Sequence, residues 1–470
     1  MSGLYSTLNA SVRALSAQSR ALEIAGKNLA NVNNPGYARQ RVIFGDRGSI
    51  ATANGTESFG LEALGVEQLR DSLLDRQVMR EISLSSSSTA EQTANQRAQT
   101  ALGQSLDASS AAGATGATDG KGVAGAIDDF FNAFQSFAAS PTDDGQRQLL
   151  LQKASILTER FQLADHRLSQ VQGDIDTQVA SDVGDVNGLL TSIADLNGQI
   201  GRAELNSPGT AVDLRDQRQA KLELLSAKLP VELRPSNNGQ IQVVAKDGTG
   251  ADVVLVDRVS VTGAVTFDGT QLSAGAPPTV LALSGGSIKG ALTARDGSIK
   301  SLRTDLDRLA RQLVTSVNGA YNPSGTTGNF FAPAGLAAGT ITLGSGLTPG
   351  TLKASDGGAA GDNTIALAVA QLATKTFSTG AGDSIDGGFS ASFSKTVSKL
   401  GQALAGTSSR VDDQAKIEQL VRGQRSAVSG VSLDEEMADL MKYQRSFQAS
   451  SRVFSVMDTL LDDVVNRLGR

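Results

Sequence analysis

The sequence contains no cysteine, no tryptophan and only one histidine, His166, and aromatic residues make up 4% of its 470 residues. Without cysteine the chain can form no disulfide bond, no thiolate metal site and no cysteine nucleophile. A catalytic triad built on histidine would have to use His166. Proline is also scarce, with 10 residues, so few positions interrupt helices. Packing and assembly must therefore hold the fold together.

Charge and hydropathy exclude further classes of protein. The formal net charge of −6 argues against a nucleic-acid partner, which would need a basic surface. No stretch approaches the roughly 18 consecutive apolar residues of a membrane span. Residues 1–20 have neither the basic start nor the apolar run of a Sec-type signal peptide. We therefore expect no nucleic-acid partner, no membrane insertion and no cleavable Sec signal.

Enzymatic motifs are largely missing. His166 stands between two charged residues of a predicted helix, where an ordinary surface or core role is favoured. The glycine-rich stretch 344–350 lacks the strand–helix context of a phosphate-binding loop. The acidic residues 434–436 suit the positive start of a helix better than a metal site. We predict that the chain is not an enzyme and has no catalytic residues, no metal and no cofactor.

What the sequence does contain is a seven-residue apolar repeat at each end. The N-terminal rows are Leu8, Leu15, Leu22 and Leu29, with Leu4, Ala25 and Val32 beside them. The C-terminal row is Leu433, Leu440, Phe447, Phe454, Leu461 and Leu468. A second row consists of Tyr443, Met457 and Val464, each of which lies three residues after a member of the first row. A strict seven-residue repeat is typical of a helix that buries a narrow seam against another helix.

These seams require partners. Each buried leucine or phenylalanine contributes roughly 1.5–3 kcal/mol, whereas an isolated helix is marginal in water. The two terminal helices are therefore expected to pack on each other, on neighbouring copies, or on both. A closed monomeric bundle could also bury both seams internally. The breakers at Pro35-Gly36 and Ser429-Gly430 favour a separate terminal module instead.

The interior is predicted to be mostly helical. Helices are expected over 2–30, from about 66 to 230, from about 288 to 318 and over most of 364–424. One apolar stripe consists of Ile127, Phe130, Phe131, Phe134 and Phe137, and a second heptad row of Val179, Val186, Ile193 and Ile200. Both stripes are expected to be core.

A β domain is predicted inside this helical protein. Residues 231–283 are rich in valine and isoleucine and are punctuated by hairpin signals such as Asn238-Gly239 and Asp247-Gly248. The fold class expected is mainly α with a β insertion, in which paired terminal helices and a long helical-bundle body carry a small antiparallel β domain. The predicted division has four parts. These are a terminal coiled-coil module (1–50 with 430–470), a helical body (51–230 with 284–330 and 360–429), the inserted β domain (231–283), and a segment of loops and short strands (331–359).

The end of the first helix resembles the axial proteins of the bacterial flagellum. In that family an Ala-Asn step leads to Pro-Gly-Tyr, and here the turn carries Asn31, Asn34, Pro35, Gly36 and Tyr37. The family's usual threonine before the proline is replaced by Asn34. Residues 429–436 and 443–450 are similar to the matching C-terminal signature. Both motifs are shared by rod, hook and junction proteins.

The interior is similar to the hook–filament junction members of this family. The resemblance rests on Phe130-Phe131-Asn132-Ala133-Phe134, Arg147-Gln148-Leu149-Leu150 and the segment 213–218. It implies a structural subunit of the flagellum, which leaves the cell by type III export and forms a ring of copies. The implied partners are other copies of itself, the hook protein, the second junction protein, the export apparatus and an export chaperone on the C-terminal helix. The implied location is extracellular, at the junction of hook and filament.

Two alternatives remain open from the sequence. Another axial protein, a hook or distal rod subunit, would share the terminal motifs but would be dominated by β domains between them. A secreted adhesin or enzyme would carry its active module in residues 231–283. That insertion has no histidine and no cysteine, so catalysis there is disfavoured, whereas surface binding stays open.

Overall fold

The computed structural model describes residues 2–34, 36–46, 48–52, 55–58, 60–102, 122–325, 328–359 and 361–467. Its helices are α1 (Ser2–Ala30), α2 (Ser72–Ala101), α3 (Val123–Ala139), α4 (Asp144–Ala203), α5 (Val212–Lys228), α6 (Gly286–Ala294), α7 (Lys300–Tyr321), α8 (Thr364–Gln371), α9 (Phe389–Ser429) and α10 (Leu433–Arg467). Its strands are β1 (Gln40–Asp46), β2 (Ser49–Thr52), β3 (Gly55–Ser58), β4 (Leu61–Gln68), β5 (Glu232–Pro235), β6 (Ile241–Lys246), β7 (Asp252–Asp257), β8 (Ser260–Val261), β9 (Thr266–Phe267), β10 (Leu272–Ala274) and β11 (Thr279–Val280). The predicted class, mainly helical with a β insertion, is confirmed.

Backbone contacts divide the chain into two compact units. The first comprises Met1–Ser85, Asp182–Gly286 and Gln414–Arg470, and the second Ser86–Ser181 and Ser287–Asp413. The terminal helices thus fall in the same unit as the inserted strands. The four-part division expected from the sequence stays a prediction.

In the first unit, a hairpin of β1 and β4 follows the first helix. The two strands are antiparallel, with Val42 opposite Val66 and an irregularity between Ile43 and Phe44. Strands β2 and β3 form a second antiparallel pair within this segment. The helical pattern expected from about residue 66 was wrong at its start, because Val66 pairs with a strand and α2 begins only at Ser72.

The inserted β domain of the first unit is confirmed. Its four-stranded antiparallel sheet has the order β5-β6-β7-β8, and β9, β10 and β11 form a three-stranded sheet. Arg218 of α5 donates hydrogen bonds to Asn197 of α4 (2.7 Å) and to the carbonyl of Gly239 (2.8 Å). Burial lowers the pKa of Arg218 to about 10. This guanidinium therefore ties two helices to the first hairpin of the insertion.

Helix α4 runs for 60 residues. The predicted heptad row Val179, Val186, Ile193 and Ile200 is fully buried, with no side chain more than 1% exposed. His166 is exposed on the same helix. The glycines within this helix lower its intrinsic stability by up to about 1 kcal/mol each, so burial of the apolar row stabilises it.

The core of the second unit is aromatic. The predicted stripe on α3 is buried, and Phe130 and Phe134 lie 5.7 Å and 5.1 Å from the ring of Phe330. Tyr321 at the end of α7 packs on the same ring at 5.3 Å. Edge-to-face pairs of this kind contribute about 0.5–1.5 kcal/mol beyond the area they bury. The phenylalanine stripe is therefore the centre of this core, as its spacing predicted.

The described residues of 322–363 in the second unit are largely irregular, with one isolated bridge between Phe331 and Leu343 and none of the short strands expected there. Arg147 donates hydrogen bonds from α4 to the carbonyls of Pro349 (2.9 Å) and Leu352 (2.8 Å). The helix predicted over 288–318 is observed as α6 and α7, but residues 295–299 between them form a π-helical turn. That turn was not predicted.

Candidate functional site

The terminal helices α1 and α10 pack along each other in the first unit. The deeply buried stripe of α1 consists of Ala17, Ala21, Ile24, Ala25 and Asn28. These residues recur at intervals of three and four, which places them on one face of a helix. Three of the five residues on this face are alanines.

The predicted leucine seam lies beside this stripe. Leu8, Leu15, Leu22 and Leu29 are half-buried. On α10, half-buried positions are Leu440, Tyr443, Phe454, Met457 and Leu461, whereas Leu433 (48%) and Phe447 (37%) are exposed. The side chains of Leu4 and Val464, and the whole of Pro35 and Leu468, lie outside the described residues. The role of this seam as a subunit interface stays a prediction.

The β1–β4 hairpin supports the helix pair. Ala21 and Ile24 form a small core with Val42 of β1, and Phe44, Ala63, Val66 and Tyr443 pack against it. The rings of Phe44 and Tyr443 have centroids 6.2 Å apart. The hairpin thus contacts both terminal helices, so segments from the two ends of the chain share one apolar core.

Asn28 is the polar centre of this module. It is only 1% exposed, and its Nδ2 donates to the carbonyl of Gln40 (2.8 Å) and to Oε2 of Glu436 (3.0 Å). Its Oδ1 accepts the hydroxyl of Tyr37 (2.8 Å) and the amide of Gln40 (3.0 Å). All four hydrogen-bonding positions of the side-chain amide are therefore used.

Glu436 is held by a second residue, Arg39. Nε of Arg39 lies 2.6 Å from Oε1 of Glu436, and Nη1 lies 2.5 Å from Glu435. Burial by itself would lower the pKa of Arg39, but the two glutamates outweigh it and raise that pKa. The backbone amide of Arg39 also donates to the carbonyl of Ser429 (2.9 Å). We call Asn28, Arg39 and Glu436 the terminal latch.

The motif turn positions the latch. The amide of Asn34 donates to the carbonyl of Asn31 (2.9 Å), and the amide of Gly36 donates to Oδ1 of Asn34 (3.2 Å). This compact turn brings the ring of Tyr37 back to Asn28. Burial, together with nearby carboxylates, raises the pKa of Tyr37 well above its usual range. Its hydroxyl therefore stays protonated and available as a donor.

The segment 213–218 anchors the terminal module to α5. Asp213 accepts hydrogen bonds from Nζ of Lys27 (2.5 Å) and Nε2 of Gln40 (3.0 Å). Asp216 lies 2.5 Å from Nη2 of Arg70, and burial, only partly offset by that arginine, raises its pKa to about 6. This segment is part of the resemblance to junction proteins, which implies no role for it. In the structure, its acidic side chains contact residues of the terminal module and of the linker before α2.

The latch was missed by sequence reasoning. For the acidic residues 434–436 the sequence predicts only a favourable helix start, and it does not single out Asn28. A signal was present, because Asn28 follows Ala21 and Ile24 at core spacing. A polar side chain at such a position needs a specific partner.

The described residues hold no group of three or more histidine, aspartate and glutamate side chains placed to bind a metal ion. Within the same part of the chain, no helix has both the length and the apolarity required for a membrane span.

Comparison with known proteins identifies the class. The profile of the flagellar hook-associated protein FlgK helical domain matches residues 113–331. The profile of the flagella basal body rod protein matches 8–37, and that of the flagellar basal body rod FlgEFG protein C-terminal region matches 423–468. The two rod profiles thus fall on α1 and α10, the elements that form the terminal module.

Curated relatives carry the name of a hook-associated protein. Flagellar hook-associated protein 1 of Bacillus subtilis (strain 168) is 25% identical over 100% of this chain and 99% of its own length. The protein of the same name from Salmonella typhimurium is 26% identical over 52% of this chain and 42% of its own. The solved structure of the flagellar hook junction protein FlgK from Burkholderia pseudomallei matches 55% of this chain and 46% of its own, at 22% identity and a TM-score of 0.44.

The chain is similar to the flagellar rod, hook and hook-associated proteins over its two ends and its interior, and a flagellar hook-associated protein 1 aligns with its whole length. It is a structural protein of the extracellular flagellar axis and not an enzyme. It assembles with other axial proteins of the flagellum.

Proposed function

We propose that this chain joins hook to filament as a ring of copies whose α1–α10 pairs lie side by side. The observation that carries the proposal is the apolar surface left on α10 after it has packed on α1. Leu433, Met437, Met441, Val453, Val456 and Leu460 are each 46–59% exposed. Contiguous exposed apolar groups on a soluble protein mark interaction surfaces.

These side chains form two groups on opposite flanks of α10. At about 100° per residue, Leu433, Met437 and Met441 fall to one side of the face that carries Tyr443. Val453, Val456 and Leu460 fall to the other side. The groups are centred roughly 28 Å apart along the helix, at 1.5 Å rise per residue. Because the two flanks of α10 differ, one flank can contact the other flank of a neighbouring copy in a head-to-tail arrangement. Such contacts close into a ring when the rotation between successive copies adds up to a full turn.

The helical interior distinguishes a junction subunit from other axial proteins. Helices α3, α4 and α7 lie within the residues matched by the FlgK helical profile. A hook or distal rod subunit would be dominated by β domains between its terminal helices. The hook protein on one side and the second junction protein on the other are therefore the axial partners we assign.

Export partners follow from the same exposed surface. Before assembly, the flanks of α10 would promote aggregation if left in water. An export chaperone that covers α10, followed by passage through the flagellar type III export apparatus, would keep these side chains from self-association. This chaperone contact is part of the proposal.

The test is a substitution on one flank of α10, with a control substitution at the adjacent residue of the same helix. Val456→Asp places a charge among the exposed apolar side chains, whereas Ser455→Asp adds the same charge about 100° around the helix, in a turn where that side carries none of the six exposed apolar residues. We expect cells with Val456→Asp to export the protein but build no filament, and cells with Ser455→Asp to swim. Normal filaments with Val456→Asp would contradict the assigned interface.

A further inference from the structure

A second surface of the first unit has the features of a binding groove. Helix α2, the end of α5 and the strands β5 and β6 enclose a cavity of about 600 Å³. This volume is within the range of ligand sites, roughly 300–1,000 Å³. Residues Arg76, Met79, Arg80 and Ser83 of α2 line it at intervals of three and four, so one face of the helix forms its wall. This site is separate from the latch and from the flanks of α10.

Two buried hydroxyl groups in the lining lack partners. Ser83 is 5% exposed and Ser226 is 1% exposed, and the Oγ of each makes no hydrogen bond within the described part of the chain. A buried hydroxyl without a partner costs about 1–3 kcal/mol. A ligand that supplied an acceptor to these groups would recover that loss.

A glycine lies directly against one of these hydroxyls. A Cβ at position 285 would lie 2.5 Å from Oγ of Ser83. Any larger residue there would press on this hydroxyl. The chain therefore places its smallest residue beside a polar group that the fold itself leaves unbonded.

The rim of the groove is positively charged. Arg76 and Arg80 are exposed, and neither forms an ion pair among the described residues. Arg234 and Lys246 also line the groove, but both pair with Glu232 and Asp252, so the uncompensated positive charge is that of Arg76 and Arg80. A cationic rim on a chain of net charge −6 favours an anionic ligand, and arginine pairs with carboxylate through two parallel hydrogen bonds.

The shape of the groove favours a chain molecule. Its wall on α2 extends from Arg76 to Leu84, about 12 Å at 1.5 Å per residue. Four residues of an extended peptide cover that length at roughly 3.3 Å each. Met79, Leu84, Leu233 and Val244 supply apolar contacts beside the charges. A peptide with alternating acidic and apolar side chains would pair with the charged residues of the groove and pack on its apolar residues.

We propose that this groove binds an extended acidic peptide segment of a partner protein, with its carboxylates on Arg76 and Arg80 and its apolar side chains against Met79 and Val244. The buried hydroxyls of Ser83 and Ser226 donate to acceptors of the bound segment. The proposal does not depend on ring assembly, because all the residues concerned lie away from α10.

The experiment uses a fluorescent six-residue peptide of alternating glutamate and leucine, titrated with the full-length monomer. We expect saturable binding that weakens at least tenfold in Arg80→Glu and several-fold in Ser226→Ala. Arg202→Glu, an exposed arginine of α4 in the same unit, should bind like the wild type. Thermal unfolding of each variant verifies that the fold is intact.

Four outcomes would overturn the proposal. The first is equal binding by the wild type and Arg80→Glu. The second is equal or tighter binding of a peptide in which lysine replaces glutamate. The third is displacement of the probe by succinate at the same concentration as unlabelled peptide, which would indicate a site for small organic acids. Absence of binding at millimolar monomer would also reject it.

Discussion

Asn28 and Glu436 stand 408 positions apart in the sequence and share a 3.0 Å hydrogen bond. Both side chains are at least 98% buried. A buried asparagine in an otherwise apolar helix pair sets the register of the two helices, because only one alignment gives it a partner. In this chain it also sets which turn of α10 meets the turn after α1.

Replacing Asn28 by aspartate should loosen the helix pair. The change removes the donor to Gln40 and Glu436 and places two carboxylates side by side in a buried site. We expect a loss of about 3 kcal/mol in the free energy of unfolding. Urea unfolding with amide exchange on α1 and α10 would measure it. Asn9→Asp, exposed on the same helix, is the control, and equal effects of the two changes would contradict the latch.

Two arginines that lie two residues apart, Arg39 and Arg41, test the other half of the latch. Arg39→Ala leaves Glu436 buried without its charged partner, and we expect a loss of about 3–5 kcal/mol. Arg41 pairs with Glu67 across the exposed edge of the hairpin, with 62% of its side chain accessible. Arg41→Ala should therefore cost less than about 1 kcal/mol. Denaturant midpoints of the two variants compare them directly, and a smaller loss in Arg39→Ala would reject this ranking.

Local periodicity predicted much of this fold, and the reason is visible in α4. Val179, Val186 and Ile193 recur at a fixed spacing, and burial of such a row requires no knowledge of its partner. The start of α2 was misplaced because Val66 has a helix-compatible spacing but pairs with Val42, a contact that local sequence does not encode. Burial and strand pairing override the local pattern there.

The latch could not be predicted in the same way. Its hydrogen bonds join Asn28 to Glu436 and Arg39 to Glu436, and the energy of each depends on a residue about 400 positions away. The π-helical turn at 295–299 likewise involves a contact with a residue distant in the sequence. Arg295 in that turn is nearly buried and pairs with Asp176 of α4, so tertiary contact accompanies the departure from regular helix.

Asp216 should make stability depend on pH. Its pKa is raised to about 6 from 3.8 by burial, against the opposing effect of Arg70. The folded chain therefore holds this proton more tightly than the unfolded chain does. Between about pH 4 and 6 the folded state binds more protons, so the free energy of unfolding falls as the pH rises. The shift corresponds to on the order of 3 kcal/mol.

Asp216→Asn should lose that dependence. Asp75 pairs with the same arginine and its pKa is raised as well, so Asp75→Asn is needed as a parallel variant to separate the two carboxylates. Carbon-13 titration of the carboxyl of Asp216, with unfolding measured at pH 4, 5, 6 and 7, would test the assignment. A midpoint for Asp216 below pH 4 would show that the pairing with Arg70 outweighs burial.

A proline in α1 should separate assembly from folding of the rest of the chain. Leu15→Pro removes a helical hydrogen bond and costs about 3 kcal/mol or more. Leu15→Ala shortens the same half-buried side chain but keeps the helix. We expect Leu15→Pro to abolish filament growth and to leave the unfolding of the second unit unchanged, because the aromatic core there shares no residue with α1. Phe454→Pro on α10 should act in the same way, and Leu15→Ala should assemble. Electron microscopy of filaments and calorimetry of the purified monomer would measure both effects, and normal filaments from either proline variant would contradict the role of the helix pair.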